Sequence, residues 1–284
     1  MKNKKDLVIE RKSETVGEIK NKLVKVADQF KEMHKPGNPL ILYNIWDVWS
    51  ALVAENAGAK VLGTSSWAVA GSRGYEDGEK LPFKLALENL KNIIEKVRVP
   101  VSFDFEAGFA LGLNDLIENV NLVVEAGAIG INFEDQVIGK EKERYSIDEQ
   151  RARIKAIKDA IEKSSLPNMF INARTDIFLQ KDSSAHNDDD LAEAIERCNA
   201  YANSGADGFF APGLANPNFI KQLCDSSPIP VNIMVQSVAD ARGIVDLGVS
   251  RISYGPFPYI TATQAFKRSV AEALTVINTA DKGL

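Results

Sequence analysis

The sequence predicts a single (β/α)8 barrel with an N-terminal covering helix. Short apolar runs rich in Val, Ile and Phe alternate eight times with amphipathic stretches, the pattern of buried parallel strands joined by helices. Gly58-Ala59, Gly127-Ala128, Gly205-Ala206 and Gly248-Val249 each fall between a helical stretch and the next strand. Glycine there lets the chain turn through a left-handed C-cap. The 284 residues show no break in composition, and such barrels use this length as one unit. An open doubly wound sheet would carry a glycine-rich phosphate loop after the first strand, and Asn44-Ile-Trp-Asp47 is not one.

The elements follow in order. Residues 1–38 form a polar extension in which Leu23, Val24, Val26, Ala27 and Phe30 share one helical face, so a leading helix covers part of the barrel of residues 39–284. Strands begin near Leu40, Val61, Val101, Ile129, Met169, Gly208, Val231 and Arg251. Helices follow near 48–57, 83–97, 114–126, 147–163, 189–204, 216–225, 237–246 and 260–276. The long connections are 67–82, 136–146 and 177–188, the length of lids or substrate walls. Asp188-Asp189-Asp190 reads as acidic residues favoured at a helix N-terminus.

Composition narrows the function. A net charge of −5 argues against nucleic acid or an anionic membrane as partner. No apolar run is long enough to span a bilayer, and the N-terminus shows no secretion signal, so the expected location is cytoplasmic. Cys198 and Cys224 read as buried or half-buried reduced thiols. With only His34 and His186 present, acid–base work falls to carboxylates, Lys, Tyr, Arg or metal-bound water.

Three strand candidates end in charge: Asp104-Phe-Glu106, Asn132-Phe-Glu134-Asp135 and Asn172-Ala-Arg174-Thr-Asp176. Charge at a buried strand end requires a partner, and the carboxyl edge of a parallel barrel is where ligands bind. Asp104 and Glu106, two apart on a strand, should face one side. With Glu134 they suit Mg2+, or Mn2+, which takes one or two carboxylates directly and keeps several waters. The same carboxylates could instead be satisfied by helix N-termini or by Arg174. Arg174 could clamp a substrate carboxylate or serve as a structural ion pair. Thr64-Ser65-Ser66-Trp67 offers hydroxyls and free N–H groups for an anion, or is plain strand-to-loop punctuation.

Asn44-Ile-Trp-Asp47, Thr64-Ser-Ser-Trp67, Gly74-Tyr-Glu-Asp77-Gly-Glu79, Asp104-Phe-Glu106-Ala-Gly-Phe, Asn132-Phe-Glu-Asp135 and Asn172-Ala-Arg-Thr-Asp176 occur in that order. Together they resemble the isocitrate lyase/phosphoenolpyruvate mutase superfamily from about residue 20 to about 275. The resemblance implies a Mg2+-dependent barrel that makes or breaks C–C or P–C bonds beside a 2-oxo acid through an enolate-like species. By motif, Ser65, Ser66 and Trp67 resemble the carboxylate-binding segment, and Asp77 the loop aspartate near the reacting group. Asp104 resembles the direct metal ligand, Glu106 and Glu134 the outer carboxylates acting through water, and Arg174 the clamp. Asn132 and Asn232 join the expected substrate contacts. The resemblance also implies a homo-oligomer, dimer or tetramer, with the last helix, Ile260–Ile277, as the segment exchanged between subunits.

Two departures shape the expectation. Glu106 stands where the family usually has Asp. The gate segment Gln136-Val-Ile-Gly-Lys140-Glu-Lys142-Glu-Arg144-Tyr145 lacks both the Lys-Arg-Cys-Gly-His motif of the lyases and the Pro-Lys-x-Asn-Ser motif of the phosphonomutases. Without a gate cysteine, the proton donor would be water, Tyr145 or Lys140. The leading expectation is cleavage of a C–C bond, or decarboxylation, of a small 2-oxo or 2-hydroxy carboxylic acid. P–C chemistry, as in a phosphonomutase or phosphonopyruvate hydrolase, comes second. A non-catalytic 2-oxo-acid binder is the alternative of another class, and it would not need a metal rim.

Overall fold

The computed structural model describes residues 16–140 and 142–280; the first 15 residues of the N-terminal extension lie outside them. Helix α1 (Val16–Glu32) leads into β1 (Leu40–Ile45) and α2 (Val48–Asn56). Then come β2 (Leu62–Thr64), α3 (Ser66–Ser72), α4 (Phe83–Lys96), β3 (Val101–Asp104) and α5 (Leu113–Ala126). The second half runs β4 (Gly130–Glu134), α6 (Ile147–Glu162), β5 (Phe170–Arg174), α7 (Asp188–Ala202), β6 (Gly208–Phe210) and α8 (Pro217–Ser226). It closes with β7 (Val231–Met234), α9 (Val238–Ile244), β8 (Arg251–Ser253) and α10 (Phe257–Ala280). The eight strands are parallel and close in chain order, β1 pairing with both β2 and β8. The expected (β/α)8 barrel is therefore the observed fold. Gly58, Gly127, Gly205 and Gly248 all have φ between 90° and 102°, the left-handed turn expected before each strand.

One departure is α3, a helix inside the segment read as the long loop 67–82. Seven residues, Ser66–Ser72, give too little periodicity to stand out from a loop. Asp188-Asp189-Asp190 does open a helix: Asn187 is the N-cap, with Asp190 completing a capping box. Cys198 is buried and Cys224 half-buried, both as free thiols.

The leading helix plugs the amino-terminal mouth of the barrel. Val26, Ala27 and Phe30 are buried, as the periodicity predicts. Phe30 meets Phe170 edge-on at 5.3 Å, and Lys31 pairs with Asp207 at 2.6 Å. A Cβ on Gly130 would lie 3.1 Å from the Phe30 ring, so the glycine makes room for the plug. His34 completes it, stacked on Phe170 at 4.3 Å with Nδ1 donating to the Phe30 carbonyl at 2.8 Å.

Burial, with the Arg251 charge nearby, pushes the His34 pKa from 6.5 down to about 3. The folded state therefore binds fewer protons here than the unfolded one, and His34 costs stability as pH falls from 6.5 towards 3. His34→Phe should remove that cost. Its stability relative to the parent should shift in its favour by about 1 kcal/mol per pH unit between pH 6.5 and 4.5. Urea melts at several pH values test this; a pH-independent difference would show that the ring does not titrate as argued.

Beyond its first turn, where Tyr259 meets Trp46 at 5.1 Å, the last helix leaves the barrel wall. From Thr261 to Thr275 every residue except Ala262 is exposed, including Phe266, Val270 and Leu274. The place it would have covered is open: Ile41, Tyr43, Trp49 and Val53 are exposed beside a groove of ≈ 1110 Å³.

Candidate active site

The carboxyl ends of β3, β4 and β5 carry the rim. Asp104 is the last residue of β3 and is buried. Its Oδ2 accepts from the Ser66 backbone N–H at 2.8 Å, and its Oδ1 accepts from Asn132 Nδ2 at 3.5 Å. Asn132 is fixed in turn: its Oδ1 accepts from Asn172 Nδ2 at 2.9 Å and from Arg251 Nη2 at 3.1 Å.

Glu106 reaches the rim by a different route from the one expected. The strand stops at Asp104, and Glu106 has φ 48°, so strand alternation does not place it. A tight turn does, in which Phe109 is also left-handed at φ 53°. Glu79 fastens the Asp77 loop to that turn: its N–H donates to Glu106 Oε2 at 2.8 Å, and its Oε1 accepts from the Phe109 N–H at 2.8 Å.

Glu134 and Arg174 end neighbouring strands and are register partners. Arg174 Nη1 lies 2.7 Å from Glu134 Oε2, while Nε and Nη2 donate to the two oxygens of Asp176 at 2.6 and 2.9 Å. A guanidinium has five N–H donors. Three face these carboxylates, which leaves two.

The rim holds more negative charge than one arginine balances. Burial, and then repulsion from Asp77 and Asp104, pushes the Glu106 carboxyl well above its ordinary range. Burial also pushes Glu134 well up; Arg174 opposes this, while Asp176, Glu106 and Asp104 add to it. Burial works against the charge of Arg174, yet Asp176, Glu134 and Asp104 hold its pKa well above the usual value. Buried carboxylates that repel one another suit a hard cation. Among the described residues no three His, Cys, Asp or Glu side chains converge as a ready ligand set. A cation at these repelling carboxylates would have to rest on few direct protein ligands, with water completing its shell, as Mg2+ does.

The remaining expected residues divide. Ser65, Ser66 and Trp67 open α3 beside Asp104; Ser65 makes no side-chain cap bond, and Trp67 is exposed against Tyr259 at 6.0 Å. Asp77 sits over the rim, its carboxyl raised by desolvation and by Asp104 against the pull of Arg174. Asn232 is buried in the barrel, with Oδ1 accepting from Ser253 Oγ at 3.2 Å and Nδ2 without a protein partner. Tyr145 lies under the Arg153 guanidinium, 4.4 Å from its ring centroid, and its hydroxyl is buried without a partner. Arg153 is anchored on the carbonyls of Ala107 and Ala110, which sets Tyr145 beside the Glu106 turn.

Lys140 is exposed and pairs with Glu143 at 2.8 Å. Sequence reasoning missed the support of the rim. Asp176 and Asp135 were visible in the motifs without a role. Arg251, fully buried with its pKa pushed down to about 9 by burial, and Arg197 on α7 gave no signal, since one arginine in a strand or a helix has no pattern.

A closed parallel barrel with a buried carboxylate–guanidinium rim at its carboxyl edge defines a (β/α)8 protein whose charge gathers where such barrels bind ligands. The profile of the phosphoenolpyruvate phosphomutase family matches residues 30–274, and the chain belongs to that family, within the isocitrate lyase/phosphoenolpyruvate mutase superfamily of Mg2+-dependent lyases and mutases. It is 27% identical to the 2-methylisocitrate lyase of Halalkalibacterium halodurans over 254 residues, 86% of this chain and 80% of that one. A crystal structure of a candidate phosphonomutase from Burkholderia cenocepacia J2315 superposes with TM-score 0.83 at 37% identity, covering 88% of this chain and 99% of that one. A phosphonopyruvate hydrolase in complex with oxalate and Mg2+ shares the fold at TM-score 0.73 and 22% identity, over 89% of this chain and 86% of that one.

Proposed function

We propose that this protein is a Mg2+-dependent enzyme that cleaves a C–C bond in a small 2-oxo or 2-hydroxy carboxylic acid through a stabilised enolate. The observation that carries the reading is the charge balance of the rim. Asp77, Asp104, Glu134 and Asp176 surround Arg174, whose charge two of them already share, and Glu106 adds its charge beside Asp77 and Asp104. Such a rim suits a substrate carboxylate presented with a divalent cation. A phosphonate dianion would call for more cationic donors than the rim supplies.

Asp104 would hold Mg2+ directly, with Glu106 and Glu134 acting through water. When bound, the ion would polarise the 2-oxo oxygen. The two free N–H groups of Arg174 orient the substrate carboxylate and oppose the charge that develops on the enolate. The start of α3 offers the hydroxyls of Ser65 and Ser66 to the same carboxylate. Tyr145, with its hydroxyl free beside the Glu106 turn, is the donor we favour for the enolate carbon. A non-catalytic binder would gain nothing from five crowded carboxylates, which cost stability. P–C chemistry stays as the second reading because of the 37% identity to the Burkholderia protein. Turnover of 2-oxo acids with Mg2+ and with EDTA separates the readings.

The partner we infer, beyond the substrate, is a second copy of the chain. The exposed face of α10 and the open groove along β1 and α2 are complementary apolar surfaces of one molecule, which favours exchange of this helix. Phe266→Asp with Leu274→Asp should convert a dimer or tetramer to monomer. Light scattering after size exclusion reads the mass; an unchanged mass would remove α10 from the interface.

A further inference from the structure

Outside the rim, a buried polar cluster centres on Arg197 of α7. Its Nη1 donates to Asp135 Oδ2 at 3.1 Å, to the Tyr145 carbonyl at 3.0 Å and to the Tyr201 hydroxyl at 2.8 Å. Its Nε donates to Glu193 at 2.8 Å, one turn earlier on the same helix. Tyr201 donates to Asp135 Oδ2 at 2.9 Å, so both groups converge on one carboxylate oxygen. Asp135 is fully buried. Its other oxygen accepts the Asp176 backbone N–H at 3.0 Å. Asp176 is the residue that grips Arg174 by two bonds.

A second arm leads to the gate segment. Tyr145 N–H donates to the Asp135 carbonyl at 2.8 Å, closing the base of that segment. Glu193 accepts from Arg144 Nη2 at 3.1 and 3.2 Å, and Arg144 also bonds Gln180. Arg197 thus stands where both arms begin, although it touches no part of the rim itself.

We propose that Arg197 is a positioning residue. Through Asp135 and the Asp176 backbone it holds the Arg174 clamp in its reactive pose, and through Tyr145 and Glu193 it holds the base of the gate segment against the barrel. The physical reason is specific to arginine. A planar fork can serve Asp135, a carbonyl, a phenol and Glu193 at once, which a lysine ammonium cannot. A carboxylate as buried as Asp135 keeps a fixed pose only while these donors surround it. The inference rests on the role given to Arg174 above, but its readout does not require turnover.

The test is the exchange rate of the Arg174 Nε–H, followed by NMR of protein carrying 15N-arginine and assigned by its loss in Arg174→Lys. In the parent protein this proton, bonded to Asp176, should be protected. Arg197→Lys should speed its exchange at least 10-fold and speed tryptic cleavage after Lys140, Lys142 or Arg144. Glu193→Gln should speed only the cleavage, since it cuts one arm. If Arg197→Lys does not fold, Asp135→Asn keeps the shape, weakens the pairing and is read the same way. Unchanged Arg174 protection in a folded variant overturns the proposal. If protection falls in Arg197→Lys while the parent turns over no 2-oxo acid, the positioning stands and the enzymatic reading falls.

Discussion

Asp104→Ala is expected to cut metal-dependent turnover by about 10^3-fold or more while leaving the fold intact. The second half of that statement makes the first informative. Asp104 is among the charges that repel Glu106, Glu134 and Asp77, so its removal relieves strain between like charges. The melting temperature should therefore hold or rise. Loss of activity together with a stable fold assigns the residue to chemistry. Turnover titrated with Mg2+, beside a thermal melt, makes the measurement, and undiminished turnover would remove Asp104 from its role.

Arg174→Ala should be as damaging to activity and should also destabilise the protein. It leaves Glu134 and Asp176 buried without their cation, a loss of about 3–5 kcal/mol for a broken buried pair. Arg174→Lys keeps the charge but cannot grip Asp176 by two bonds and still present two N–H groups to a substrate. Lysine should therefore recover most of the stability and little of the turnover. Denaturant melts and steady-state kinetics on both variants separate the two contributions. Full activity in Arg174→Lys would show that charge alone suffices and that the fork is not used.

The barrel was legible because its signals are local. Gly58, Gly127, Gly205 and Gly248 mark left-handed caps that other residues adopt at a cost, and each did close a unit before a strand. The rim was legible because Asp104, Glu134 and Arg174 break apolar runs, where a charge cannot be incidental. Glu106 was placed at the rim for the wrong local reason: the strand ends before it, and a left-handed turn does the aiming. Lys140, a flexible side chain on a loop, pairs with Glu143, and no sequence pattern encodes which partner such a side chain takes. The Arg197–Asp135 link spans 62 residues and the Arg251–Asn132 link 119, and no periodicity encodes such pairings. The path of α10 was also out of reach, since its helical pattern is the same whether it packs on its own barrel or on another.

The central claim is metal-dependent cleavage of a C–C bond. It is tested most directly by incubating the protein with oxaloacetate, 2-methylisocitrate, isocitrate, phosphonopyruvate and phosphoenolpyruvate, each with Mg2+ and with EDTA. Products are followed by proton and phosphorus NMR. The account predicts a 2-oxo or 2-hydroxy acid that is split only when Mg2+ is present, with no phosphorus species changed. Turnover of phosphonopyruvate or phosphoenolpyruvate alone would contradict it in favour of P–C chemistry. Saturable binding of a 2-oxo acid with no turnover across the panel would contradict it in favour of a binding protein.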